Sequence, residues 1–442
     1  MFKRKVEKML LDWKSQSKRK PLVIKGCRQC GKTSSVLAFA KENYKHIIYI
    51  DFHEHPNYKE FFDGDLDVST ITLNITIKIP DAQFVAGETC LILDEIQDCP
   101  NARASLKFFA LDGRFDVIST GSLLGVSGYK PVGEWSNASI PVGFEEIVTM
   151  YPMDFEEWLW ANKVRPEHFE YLQRCFERQE PVNEAIHQRM RELLLKYVIV
   201  GGMPEVVSTF LETNDMNRVQ KLQRFIIEAY KTDMIKYAPS HSKPLIRECF
   251  ESIPAQLARE NKKFTYSLIR KNARANQFRG SLQWIEEAGI IRRCYNLNIT
   301  ELPLDGNAIK DTFKVYMADI GLLVSMFEQG TAWSIMQGNL FAFKGAIFEN
   351  LVADILGKMG RKLYYFKKNS GLEIDFVMRY KGECWPLECK ANTGNAKSLR
   401  TVLNHPEHYH VNHAIKLGDY NIGYNNSVLT LPLYMAFMLT EY

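Results

Sequence analysis

The stretch Gly26-Cys27-Arg28-Gln29-Cys30-Gly31-Lys32-Thr33 limits what this 442-residue chain can fold into more than any other feature. Its spacing, Gly-x-x-x-x-Gly-Lys-Thr, is that of a loop whose backbone N–H groups curl around phosphate oxygens. The two glycines allow the curl. Lys32 can then reach the β- and γ-phosphates of a nucleoside triphosphate, and the Thr33 hydroxyl can hold Mg²⁺. The flanks fit the same demand. Pro21-Leu-Val-Ile-Lys25 reads as a short buried strand, and Ser34–Ala40 as the helix whose positive end faces the anion. Strand, loop and helix together require an α/β core. ATP with Mg²⁺ is the expected ligand pair, held by Gly26, Cys27, Arg28, Gln29, Cys30, Gly31, Lys32, Thr33 and Ser34.

A second strand supplies the acids that such a loop needs. Cys90-Leu-Ile-Leu-Asp94-Glu95 is an apolar run ending in two carboxylates. Asp94 is placed to hold Mg²⁺ through water, and Glu95 to polarise the attacking water. The plainer reading, acids that only cap the next turn, leaves the phosphate loop without its downstream metal partner. A third run, Phe115-Asp-Val-Ile-Ser-Thr120, leads into Gly121-Ser122. Thr120 and Ser122 are candidates for contact with the γ-phosphate, beside the alternative of an ordinary polar strand end.

Composition narrows the class. With 46% hydrophobic and 12% aromatic residues, the chain can build well-packed cores, and its length calls for two to four domains. The start, Met1-Phe-Lys-Arg-Lys-Val-Glu-Lys, is charged and lacks the apolar stretch of a signal peptide. No run is long enough to span a bilayer, so no membrane role is expected. Nine cysteines without framework spacing fit reduced thiols in a cytoplasmic protein. Cys27 and Cys30 form a Cys-x-x-Cys pair, but they occupy variable positions of the phosphate loop, and coincidence is the simpler reading.

The chain divides by pattern into 1–160, alternating strand and helix around a parallel sheet; 161–240, helical, broken at Gly201-Gly-Met-Pro204; 241–330; and 331–442. Expected strands in the first part are Leu22–Lys25, His46–Asp51, Cys90–Leu93 and Phe115–Thr120. A glycine-rich loop from Ser122 to Gly143 follows, then a helix capped by Asp154. The third part reads as helices at Lys243–Arg259, Tyr266–Arg274 and Gln277–Ala288, followed by strands at Gly289–Asn296 and Phe313–Met317. That order suggests a winged helix. Residues 241–300 carry eleven Lys and Arg against five Glu, a net of +6, whereas the whole chain is only +4. Phosphate contact with double-stranded DNA through Lys271, Arg274 and Arg279 is one reading. A solvated face, or a surface that docks a protein, is the other.

The last part holds a second constellation. Phe343–Leu356 reads as an amphipathic helix, followed by strands at Lys362–Lys367, Glu373–Met378 and Trp385–Ala391. Asp375 and Glu388 are candidate ligands of a divalent cation, with Lys390 beside the attacking water and Glu349 as an outer carboxylate. The pattern Asp…Glu-x-Lys is short, and Pro386 counts against a regular central strand. A nuclease-like fold retained for binding alone is the alternative.

Taken together, these motifs resemble a prokaryotic family of predicted AAA-type ATPases with a C-terminal region of unknown function. The resemblance covers nearly the whole chain. It rests on the loop Gly26–Thr33, Leu91-Ile-Leu-Asp-Glu-Ile-Gln97, Thr120-Gly-Ser122, Tyr151-Pro-Met-Asp-Phe-Glu-Glu157, Gly201-Gly-Met-Pro204, Asp319-Ile-Gly-Leu-Leu323, Gly345-Ala-Ile-Phe-Glu-Asn350 and Glu388-Cys-Lys390. It implies an α/β fold class: a P-loop AAA-type ATPase domain, a helical region, a winged helix, and a C-terminal α/β PD-(D/E)XK nuclease-like domain. Many members carry Gly-Arg ahead of the Tyr-Pro block, where this chain has Gly143-Phe144, so an arginine acting on the γ-phosphate does not transfer to that position. Two functions follow as expectations. One is an Mg²⁺-dependent ATPase acting on DNA. The other is a nucleotide-controlled switch whose C-terminal region binds a protein partner or a second copy of the chain, without cutting.

Overall fold

A computed structural model describes residues 1–122, 143–237, 243–338, 344–390 and 396–440. It divides into two compact units, Met1–Pro152 with Tyr237–Pro239, and Met153–Lys236 with Ser240–Tyr442.

In the first unit, apolar runs too short for helices become strands: β1 (Leu22–Lys25), β2 (His46–Asp51), β3 (Thr89–Asp94), β4 (Asp116–Gly121) and β5 (Glu146–Thr149). They form one parallel sheet in the order β2-β3-β4-β1-β5. Every residue of β3 and β4 is buried, as in a strand covered on both faces. The covering helices are α1 (Lys5–Ser15), α2 (Lys32–Asn43), α3 (Val68–Lys78) and α4 (Pro100–Asp112). Two apolar clusters divide the work. Ile71, Ile75, Leu106 and Phe109 pack with Leu91 and Leu93, while Leu10, Trp13, Val36 and Phe39 pack with Ile24 and Ile92. The four expected strands are found within a residue or so of their predicted ends. β5 is an addition: its half-exposed Glu-Ile-Val-Thr has no apolar signature, and it is defined by pairing beside β1, Leu22 opposite Glu146.

The second unit begins with helices α5 (Phe155–Ala161), α6 (Pro166–Arg178), α7 (Glu184–Val200), α8 (Pro204–Thr213) and α9 (Met216–Tyr237). Asp154 caps α5 as expected, accepting from the Glu157 N–H at 2.9 Å. The break between α7 and α8 has a steric reason. Gly201 sits at φ +71°, and a Cβ on Gly202 would come within 1.9 Å of the Met153 carbonyl oxygen.

Next come α10 (Lys243–Leu257), α11 (Ala275–Glu287), β6 (Ile291–Leu297), β7 (Ala308–Met317), α12 (Ile320–Met326) and α13 (Thr331–Met336). The tail adds α14 (Lys344–Lys358), β8 (Leu363–Lys367), β9 (Glu373–Tyr380), β10 (Glu383–Cys389), α15 (Lys397–Leu403), α16 (Pro406–Tyr409), β11 (Ala414–Gly418), β12 (Gly423–Asn425) and β13 (Val428–Pro432).

Two expectations change here. The helix foreseen over Tyr266–Arg274 is only a short turn at Tyr266–Leu268, and Asn272 stands at φ +66°, which a continuing helix cannot accept. The two strands read as a wing do pair with each other, but β6 also pairs in parallel with β8, Cys294 opposite Leu363. They are therefore the edge of an eight-stranded sheet, β12-β13-β11-β10-β9-β8-β6-β7, shared with the tail. Pro386 is tolerated inside this sheet because pairing of β10 with β11 begins only at Leu387, one residue later.

One charged group is buried at the heart of the second unit. The Lys358 ammonium, in α14, lies 2.9 Å from Asp354 and 3.5 Å from Asp319, and donates to the Tyr197 hydroxyl and the Met153 carbonyl. Asp319 in turn accepts the Gly202 N–H at 2.7 Å.

Candidate functional site

In the first unit, β1, β3 and β4 bring their C-terminal ends side by side, where open α/β sheets bind ligands. β1 runs into the loop 26–31, and α2 begins at Lys32 behind Gly31, which adopts φ +96°. Gly26 is needed for a different reason: a Cβ there would fall 2.1 Å from the Met150 carbonyl oxygen. From the other side, Arg4 ties the loop down, donating to the Cys30 carbonyl at 2.9 Å and the Tyr151 carbonyl at 2.7 Å. Lys32 Nζ donates to the Gly26 and Cys27 carbonyls at 3.1 and 2.9 Å, so its charge lies along the loop. A hydrogen bond from Cys27, with the charges of Lys32 and Arg4, brings the buried Cys30 thiol down to about 6.

The acids sit opposite. Thr33 Oγ1 lies 2.8 Å from Asp94 Oδ2, so the two groups expected to hold Mg²⁺ converge on one point. Asp94 collects further donors: the Tyr49 hydroxyl at 2.8 Å, the Thr120 hydroxyl, and the Glu95 N–H at 3.1 Å. Glu95 follows at φ +51°, a left-handed conformation uncommon for glutamate. Its Oε2 accepts from Ser122 Oγ at 3.2 Å and from the Gln97 amide. Thr120 and Ser122 thus serve the two acids from the end of β4. Ser34 is exposed on the first turn of α2, and Arg28 and Gln29 lie on the loop itself. Tyr49 and Gln97 were not foreseen. Tyr49 reaches Asp94 from the neighbouring strand β2, a pairing that no local pattern shows, while Gln97 lay in plain view two residues past Glu95. The loop predicted between Ser122 and Gly143 lies outside the described residues apart from its two ends.

The tail constellation is arranged differently. Glu349, in α14, is gripped by Lys262 and lies 3.5 Å from Lys314, and the Tyr316 hydroxyl donates to it at 3.1 Å. Burial works against the Glu349 carboxylate, yet the Lys314 and Lys262 charges hold its pKa below the usual range. Lys314 is also paired with Glu373 at 2.8 Å, and Glu373 with Lys367 at 2.6 Å. Asp375 accepts the Cys389 N–H at 2.8 Å, and burial and the Glu349 carboxylate push it up to about 7. Glu388 is paired with Lys390, which lies one residue beyond β10, and its other oxygen is buried with no hydrogen-bond partner among the described residues. Among the described residues no three His, Cys, Asp or Glu side chains come together as a metal-ligating group. The donor set therefore fits a divalent cation poorly: protein ammonium groups already stand where a cation would be needed. Lys262 and Lys314 escaped the sequence reading because the fold brings them to Glu349 from distant positions, whereas Lys367 and Glu373 meet across the β8–β9 hairpin.

Residues 18–159 match the profile of an AAA domain, residues 191–332 that of a domain of unknown function (DUF8612), and residues 344–434 that of another (DUF4143). The chain carries an AAA domain. Its parallel sheet and phosphate loop form a P-loop ATPase core, and its C-terminal end is a domain of unknown function. No curated protein matches the chain. Among solved structures, a Walker-type ATPase of Pyrococcus abyssi is similar at 17% identity and a TM-score of 0.42, over 74% of this chain and 96% of that one. The ORC1 protein of Aeropyrum pernix, in complex with DNA, is similar at 10% identity and a TM-score of 0.31, over 77% of this chain and 94% of that one. No described helix is long and apolar enough to cross a membrane.

Proposed function

We propose that this protein is an Mg²⁺-dependent ATPase working as a nucleotide-controlled switch, with a C-terminal region that binds rather than cuts. The observation that carries the first half is the convergence of Thr33 on Asp94 at 2.8 Å beside the loop 26–33. When bound there, Mg²⁺ would neutralise phosphate charge. The chain's own groups do the rest. Backbone N–H groups of the loop and Lys32 hold the phosphates, Asp94 is oriented by Thr120 and Tyr49, and Glu95 accepts a proton from the attacking water. Glu95→Gln keeps the shape of the site but removes the base. Its turnover should fall at least about a hundredfold while nucleotide affinity stays near that of the wild type. Unchanged turnover would refute the assignment.

For the second half, the self-paired carboxylates of the tail favour binding over metal-dependent cleavage. Plasmid DNA incubated with Mg²⁺ or Mn²⁺ should stay intact with the wild type and with Lys390→Ala alike. Nicking by the wild type that is lost in Lys390→Ala would restore the nuclease reading.

DNA remains a candidate partner on one observation: Lys271 and Arg274 are exposed at the entry to α11 within a basic stretch, residues 241–300. Reversing Lys271, Arg274 and Arg279 should weaken duplex binding at least about tenfold near physiological salt. Absence of DNA binding even at low salt assigns this face to a protein partner.

A further inference from the structure

We propose that Gln97 is a positioning residue for hydrolysis, holding the Glu95 carboxylate toward the attacking water with its side-chain amide. The inference rests on the ATPase reading above and adds a residue to it. Three observations carry it. Glu95 stands in a left-handed conformation at the mouth of a short turn, Ile96–Asp98, so its direction is set by its neighbours rather than by the strand. The Gln97 amide nitrogen donates to Glu95 Oε2, and Ser122 donates to the same oxygen at 3.2 Å. Neither bond uses Glu95 Oε1. Finally, Gln97 is only 8% exposed, so its amide is held in place by the packing around it.

With Glu95 Oε2 held by Gln97 and Ser122, Glu95 Oε1 is the oxygen left to accept from the attacking water, whose lone pair then faces the γ-phosphorus. In the step that follows, the water oxygen bonds to phosphorus as the bridging P–O bond to ADP breaks. The bonding electrons leave with ADP, and one water proton passes to Glu95. Gln97 takes no proton. Through Glu95 it fixes where the water stands, which is where misplacement is most costly.

The test is a pair of substitutions, made alone and together with Glu95→Gln. Gln97→Leu removes both ends of the amide at similar volume. Gln97→Glu keeps an acceptor and the chain length but sets a second carboxylate against Glu95. In steady-state hydrolysis each should lower kcat roughly tenfold to a hundredfold, while the Kd of a fluorescent ATP analogue changes by less than about twofold. In the Glu95→Gln background, Gln97→Leu should cost nothing further, since the group it positions is gone. A retained kcat in either single variant overturns the inference. So does an equal loss in both backgrounds, or a fall in affinity matching the fall in kcat, because each marks a structural role. A wild-type chain that binds nucleotide but never hydrolyses it overturns the ATPase reading and this inference together. An active wild type with a silent Gln97→Leu overturns the inference alone.

Discussion

The phosphate loop and the tail cluster both concentrate charge, but they dispose of it in opposite ways. At the end of the first sheet, Lys32 rests on backbone carbonyls, and Asp94 is surrounded by hydroxyls rather than cations. Among these contacts, opposite charges are kept apart, ready for a ligand that carries both phosphate and metal. In the tail, Glu349, Glu373 and Glu388 each meet a lysine of the same chain. The same is true of Asp354 and Lys358. A site that has to bind leaves charges open, and a joint that has to hold closes them. The first kind should therefore fail in binding when mutated, and the second in stability.

The largest effect is expected from the closed kind. Lys358 and Asp354 have side chains 1% and 0% exposed, so Lys358→Met would leave Asp354 and Asp319 buried without their cation. Removing one partner of a buried pair costs about 3–5 kcal/mol. Urea denaturation should show it. A loss below about 1 kcal/mol would mean that water enters this joint and that the contrast is overdrawn.

Lys32→Ala tests the open kind. Among the described residues its ammonium donates only to loop carbonyls, so the urea midpoint should move little. ATP affinity should fall about a hundredfold, roughly 2.7 kcal/mol. A variant that loses stability as much as affinity would move Lys32 into the structural class.

A third prediction uses pH. Burial, aided by the Asp319 charge and opposed by Lys358 and Arg292, raises Asp354 from 3.8 to about 6. Tyr197, also in contact, is raised well above its usual range and stays neutral. With the folded pKa above the unfolded one, Asp354 adds stability fully present below about pH 4 and lost as pH rises through about 6. Relative to Asp354→Asn, the wild type should lose on the order of 3 kcal/mol across that window. Parallel stability curves for the two proteins would show that Asp354 keeps an ordinary pKa.

The same contrast explains what could be read from the sequence. The loop 26–33 and Asp94-Glu95 are contiguous, because a strand end and a helix start must supply adjacent backbone groups and side chains, and their spacing carried the site. Gln97 closed the motif Leu91–Gln97, but nothing in that motif gave it a role. The tail acids Asp375, Glu388 and Glu349 were also visible, as was Lys390 beside Glu388, but not the lysines that meet Glu349. Lys262 and Lys314 join Glu349 only through the pairing of β6 with β8 and the packing of α14, contacts between residues as far apart as 262 and 349. The hairpin read as a wing was legible, but its pairing with β8 was not, because that partner lies beyond the next helices.

The smallest effect should come from the exposed pair Arg279–Asp311, 2.5 Å apart with side chains 65% and 78% exposed. Solvent screening and the entropy of ordering two flexible side chains leave such a pair about 0–1 kcal/mol. Arg279→Ala should therefore lie within about 0.5 kcal/mol of the wild type in denaturation. The pair is more informative as a gate on the DNA reading. To reach a phosphate, Arg279 has to leave Asp311, so Asp311→Asn should tighten duplex binding at low salt. Arg279→Glu should loosen it, and neither should change stability. Both effects should fade as salt rises, because contacts of this kind act through counterion release. If the two variants bind DNA alike at low salt, Arg279 belongs with the closed charges, held by its own chain, and the basic face of residues 241–300 has no phosphate to meet at this position.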